Sequence, residues 1–216
     1  MWWLLHPQSA QAAVMQQTWI VSVCAAVLVA LYVYGAILWC IFAYRRDRHE
    51  PQEFTGNPPL EIFYAVLPLL IVIGLFLVTF HDEMPVDHVS AHPENRVDVT
   101  AFRWSWRFGY DGDRIRTIGT PLSPPTLYLP IDRTTEVDLT TTDVNHSFWV
   151  PAFLFKRDAI PGMTNVFDLT PRKLGTYLSR CAQFCGLDHA LMTFQVKVVP
   201  DAAYDRYIAS NGVQKP

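Results

Sequence analysis

The sequence predicts a two-helix transmembrane hairpin followed by an all-β sandwich or barrel. Three observations carry this expectation. Two nearly uncharged apolar runs occupy residues 18–44 and 60–80. Beyond them, short runs rich in β-branched and aromatic residues recur between prolines and glycines. Half of the 216 residues are hydrophobic, high for a soluble domain and low for a chain lying wholly in a membrane. The net charge is −3, which argues against nucleic acid as a partner.

Residues 1–16 read as an extramembrane segment. Met1-Trp-Trp-Leu-Leu5 is too short for the apolar region of a signal peptide, and no basic residue precedes it. Residues 17–80 form the hairpin, with helices at about 18–44 and 60–80. Each run reaches the roughly 20 residues that cross a bilayer. Trp19, Trp39 and Tyr44 stand near the ends of the first, where interfacial aromatics belong. Cys24 and Cys40 within it read as buried small hydrophobes. Arg45, Arg46 and Arg48 follow at once. The excess of arginine assigns this loop to the cytoplasm, so both termini and the β domain fall on the periplasmic side of the cell (inner) membrane. Pro68 interrupts the second run and is tolerated where neighbours take up the freed carbonyl. Glu61 has two readings: a carboxylate that ends the span, or a point on a proton path.

Residues 81–216 form one extramembrane domain of sandwich size. Strands are expected at 96–102, 127–129, 135–140, 147–150, 165–170, 176–180 and 193–199. A short helix is expected in the tail, 201–216. In Arg103-Trp104-Ser105-Trp106, the two tryptophans at period two share a strand face, and at least one belongs to the core.

The densest chemistry lies in Cys181-Ala-Gln183-Phe-Cys185-Gly186-Leu-Asp-His189-Ala-Leu-Met192, a loop between two strand-like flanks. Two thiols, an imidazole and a thioether suit copper best and zinc second. A helical stripe at 181, 185, 189 and 192 competes, but Gly186 and the flanks argue against a helix. A disulfide between Cys181 and Cys185 would leave His189 and Met192 unexplained. Zinc accepts Cys and His and has little use for Met. His146, between a turn and a strand in Asp143-Val-Asn-His146-Ser-Phe-Trp-Val150, is the distant ligand. A mononuclear blue-copper site needs two His, one Cys and a weak Met. The additional thiolate here invites a second copper.

At this point the chain resembles subunit II of haem–copper cytochrome c oxidases. The resemblance runs over two membrane helices, the Trp-x-Trp element, the histidine strand and the C-x-x-x-C-G-x-x-H-x-x-M loop, in that order. It implies a cupredoxin-like domain carrying the binuclear copper centre CuA. Cys181 and Cys185 are then bridging thiolates, and His146 and His189 bind one copper each. Met192 and the main-chain carbonyl of Gln183 are weak ligands. Trp104 is where electrons arrive from cytochrome c, and catalysis belongs to subunit I among the partner subunits. Glu61, seven residues before Pro68, matches the family's carboxylate at the mouth of a proton channel. Three departures stand out. Arg103 replaces the usual glutamine before the tryptophan, and Met163 the arginine that closes the family's Asp-Ala-x-Pro-Gly-Arg segment. Gln183 replaces the usual glutamate on an interfacial magnesium, leaving that metal only a neutral amide.

Electrons from cytochrome c would reach haem in subunit I, where oxygen is reduced to water with proton pumping. A nitric oxide reductase fed through CuA is a rival for the same domain. A membrane-anchored copper chaperone or sensor is another; it would hold one labile Cu(I) and need no Trp104. Asp111, Asp113 and Asp143 are candidates for a local acidic patch that steers the donor. The stretch from residue 82 onward holds 16 acidic and 14 basic residues, a difference of only −2.

Overall fold

The computed structural model describes residues 6–45, 56–110, 112 and 114–210. The expectations for Arg46, Arg48, Asp111 and Asp113, and for the ends of the chain, lie outside these residues. Two units are present: Gln17–Glu83, and Met84–Pro216 together with Met1–Gln16.

Helices α1 (Ala10–Ala43) and α2 (Pro58–Asp87) are long and apolar enough to cross a membrane. At 1.5 Å per residue they run about 50 and 45 Å, beyond the hydrocarbon thickness of a bilayer. Apolar side chains such as Leu31, Trp39, Leu70 and Phe76 are exposed. Lipid in place of protein accounts for that exposure. Cys24 and Cys40 are exposed too, contrary to the buried reading, because helix faces without protein neighbours surround them. Between the helices, the Thr18 hydroxyl donates to Asp82 at 2.5 Å. Helix α2 starts at Pro58 because Asn57 and Glu61 cap it. Asn57 Oδ1 accepts the Leu60 N–H, and Glu61 Oε1 accepts the Asn57 N–H.

Helix α1 begins eight residues before the expected position. Ser9 is the reason: its hydroxyl accepts the Ala12 N–H at 3.0 Å, an N-cap ahead of an alanine-rich first turn. Residues 8–12 also join the β unit. The Ala10 N–H donates to Thr170 O at 3.0 Å, and the Arg172 N–H to Gln8 O at 2.8 Å. Gln11 Oε1 accepts the Thr170 N–H, and the Tyr177 hydroxyl donates to Gln8 Oε1. Gln8, Ser9, Gln11 and Ala12 are all buried.

The β unit is two five-stranded sheets. The strands are β1 (Asn95–Phe102), β2 (Ser105–Tyr110), β3 (Ile115–Ile118), β4 (Thr126–Pro130), β5 (Thr135–Thr141), β6 (His146–Val150), β7 (Phe155–Ala159), β8 (Asn165–Leu169), β9 (Gly175–Cys181) and β10 (Thr193–Val199). The first sheet has the order β3-β2-β1-β5-β8, the second β4-β10-β9-β6-β7. One pair in each sheet is parallel, β1 with β5 and β4 with β10. Period-two alternation sends Val97, Val99, Ala101, Val137, Leu139, Phe194, Val196 and Val198 inward. Trp106, Phe148 and Phe194 fill the centre, with ring centroids 4.8 to 6.0 Å apart. Helix α3 (Asp201–Ala209) closes the lower rim with Tyr204 and Tyr207.

Two strands escape the sequence reading. Both β3 and β7 are edge strands, and β7 is rich in charge (Lys156, Arg157, Asp158), as edges often are. The two tryptophans do not share a strand face. Trp106 is core, whereas Trp104 lies in the turn between β1 and β2.

Candidate metal centre

Three strands of the second sheet set the site. β6 opens on His146, β9 ends on Cys181, and β10 starts directly after Met192. Pairing of β6 with β9 puts Phe148 opposite Cys181. The loop from 182 to 192 is tied at both ends: the Ala182 N–H donates to Ser147 O, and the Cys181 N–H to Met192 O. A single 3-10 turn, His189–Leu191, ends the loop.

The ligand atoms of His146, Cys181 and Cys185 lie within 4.8 Å of one another, all buried. The two Sγ atoms are 3.9 Å apart. His146 Nδ1 lies 3.8 Å from Cys181 Sγ, and His189 Nδ1 lies 3.4 Å from Cys185 Sγ. Met192 Sδ is 3.7 Å from Cys185 Sγ, and the Gln183 carbonyl accepts from Cys181 Sγ at 3.2 Å. All six residues singled out in the sequence therefore converge. The Gln183 side chain is exposed and only its carbonyl faces the thiols.

Charge is unevenly placed. Burial pushes the Cys181 thiol up, but the His146 ring and nearby main chain outweigh it and bring it below its ordinary value. Cys185 is pushed up to about 12, by burial first and by the Cys181 charge second. Burial and the facing sulfur thus oppose ionisation of both thiols together. A second thiolate needs compensating positive charge, which a metal cation supplies. Two thiols, two imidazole nitrogens and a thioether form a soft donor set, and it fits copper.

His146 is fixed from behind. Its Nε2 meets Asp143 Oδ1 at 2.9 Å, leaving Nδ1 toward the sulfurs. Burial opposes charging of the ring, but the bonds to Cys181 and Asp143 prevail and raise its pKa. Asp143 also takes the Val144 N–H at 2.6 Å and the Arg103 N–H at 2.8 Å. Burial would raise this carboxyl, yet those bonds hold it at about 2. Asp143 therefore supports the histidine; its grouping with Asp111 and Asp113 lies outside the described residues. Its three-residue spacing from His146, at the mouth of a strand, was the available sign.

The Trp104 Nε1–H donates to Cys185 O at 3.1 Å. Gly186 adopts φ +119°, and a Cβ there would meet the indole at 3.2 Å, so glycine is needed twice over. Glu61 lies in the helical unit, engaged as a cap. The segment after Lys156 is strand β7 followed by a turn on Pro161-Gly162, closed by the Met163 N–H on Ile160 O. Met163 is exposed.

Residues 123–199 match the family described as cytochrome c oxidase subunit II, periplasmic domain. A probable cytochrome c oxidase subunit 2 of Streptomyces coelicolor is 36% identical over 243 aligned positions, covering 94% of this chain and 76% of that one. The cytochrome c oxidase subunit 2 of Mycobacterium bovis is 29% identical, covering 92% and 71%. The solved periplasmic domain of cytochrome oxidase subunit II from Bradyrhizobium japonicum aligns with a TM-score of 0.51 at 25% identity, over 57% of this chain and 96% of that one. Fold and site together define a membrane-anchored cupredoxin-like protein built around a dithiol–imidazole centre. More narrowly, the chain belongs to the cytochrome c oxidase subunit II family. Membership makes it one subunit of an oxidoreductase assembly.

Proposed function

We propose that this chain accepts electrons from reduced cytochrome c at a binuclear copper centre and delivers them to haem in subunit I. There oxygen would be reduced to water with proton pumping. The observation that carries the reading is the convergence of both thiols with Nδ1 of both histidines, Met192 Sδ and the Gln183 carbonyl. Cys181, Cys185, His146 and His189 would hold the metals. Met192 and the Gln183 carbonyl would be weak ligands. Bound there, copper would supply one-electron transfer.

The chain's own residues supply the rest. Strands β6, β9 and β10 fix the donor atoms, and burial of His146, Cys181, Cys185 and Met192 excludes water. Asp143 holds the proton of His146 at Nε2. Trp104 offers a half-buried ring whose N–H is bonded to the cysteine loop, a short path from surface to thiolate. Both termini and the β unit would face the periplasm. Glu61, at the other end of α2, would admit protons to subunit I; Glu61→Ala would then slow proton uptake, and unchanged turnover would sink that role.

The test uses the full chain in detergent, loaded with copper. Two coppers per chain and a seven-line EPR signal are expected. One copper with a four-line signal would instead favour a chaperone or a blue-copper protein.

A further inference from the structure

Two consecutive residues of the β1–β2 turn reach the two halves of the centre. Trp104 bonds the cysteine loop through Cys185 O. Arg103 bonds the histidine side through Asp143. Its N–H and its Nε both point to Asp143 Oδ2, at 2.8 and 3.4 Å, while Oδ1 of the same carboxylate takes His146 Nε2 at 2.9 Å. The order is thus guanidinium, carboxylate, imidazole, then thiol. We infer that the Arg103 side chain is a positioning residue of the metal centre, setting how much of the Asp143 negative charge His146 passes to the metal side of its ring. This rests on the copper reading above.

The chemistry follows from the connections. A carboxylate on the remote nitrogen of an imidazole makes the other nitrogen a stronger donor, which favours the oxidised metal. A guanidinium on the far oxygen withdraws part of that charge. The arrangement separates this effect from a purely structural one. Asp143 is already anchored by the Arg103 and Val144 main-chain N–H groups, which no side-chain substitution at 103 removes. The arginine side chain is half exposed, and an exposed ion pair adds little to stability. Its charge, not its bulk, is what the site would register.

The experiment compares the copper-loaded full chain with Arg103→Gln, Arg103→Lys and, as a charge control, Arg172→Gln, which breaks an ion pair with Asp132. Copper per chain, circular dichroism and the midpoint potential are measured. Arg103→Gln should keep its copper and its fold while its reduction equilibrium shifts about fivefold toward the oxidised form. That is a potential lower by roughly 41 mV at 59 mV per decade. Arg103→Lys should recover most of the shift, and Arg172→Gln should show none. A potential unchanged in Arg103→Gln, or an equal shift in Arg172→Gln, overturns the role of Arg103. A wild-type chain that takes up no copper overturns the reading of the centre itself, and the count reports this before any potential is measured.

Discussion

Trp104 and Cys185, 81 residues apart in sequence, are joined by one hydrogen bond of 3.1 Å from indole nitrogen to carbonyl oxygen. The bond ties a turn of the first sheet to the loop that carries both thiols. Trp104→Phe keeps an aromatic ring and deletes the donor. Copper content should stay at the wild-type level, while electron uptake from reduced cytochrome c in stopped flow falls about tenfold, equivalent to ~1.4 kcal/mol. An unchanged rate would remove Trp104 from the path.

Asp143→Ala leaves three donors without their acceptor: the Arg103 and Val144 N–H groups and the buried His146 ring. Of these only the His146 ring is fully buried, and an orphaned buried donor costs roughly 1–3 kcal/mol, so unfolding in urea should begin earlier. Loss of the group behind a metal-binding imidazole should also weaken copper affinity about 10–100-fold, read by competition with a chelator. Asp143→Asn, which still offers one oxygen, should fall between the two. Full affinity in Asp143→Ala would show that the ring is held by other means.

Ser9→Ala removes the cap of α1 at a position almost wholly out of solvent. The expected loss is about 1–2 kcal/mol in thermal unfolding, with Ser9→Thr restoring most of it. Equal melting of all three chains would mean the cap contributes nothing.

Alkali should weaken the fold through two tyrosines. Burial pushes Tyr110 well above its ordinary value and Tyr204 up to about 12. In the unfolded chain both ionise near 10. Above pH 10 the unfolded chain therefore holds fewer protons than the folded one, and stability drops as pH rises from about 10 to 12. Tyr204 alone accounts for roughly 2–3 kcal/mol across that window. Absorbance titration of the nine tyrosines should show a late class that disappears in urea. In Tyr204→Phe the alkaline loss should shrink; a loss of full size would assign it elsewhere.

Most of the centre was legible because its donors are chemically rare and close in sequence. Five of the six lie from Cys181 to Met192, and only His146 had to be brought from afar. Trp104 was placed on a strand, because period two cannot distinguish a strand from the tight turn that precedes one, and its bond to Cys185 carried no sign in the sequence. The support Asp143 gives His146 was missed for a related reason: a sequence shows the sign of a carboxylate, not the donors that fold in around it. Strands β3 and β7 were missed because β3 is only four residues long and β7 carries Lys156, Arg157 and Asp158 at its centre. The early start of α1 was missed because Ser9 and Gln11 carry no hydropathy signal. Their partners, Phe153, Thr170 and Pro171, come more than 140 residues later.

That last separation bears on the order of assembly. A ribosome delivers residues 8–12 first and Tyr177, whose hydroxyl reaches Gln8, some 169 residues after Gln8. The opening turn of α1 therefore cannot complete its contacts with the β unit until the chain has been made as far as Tyr177. Contacts this distant along a chain form slowly, since a large loop must close before they give any return. This clasp therefore closes only after the connection between β8 and β9, which supplies Thr170, Pro171 and Arg172, has been made.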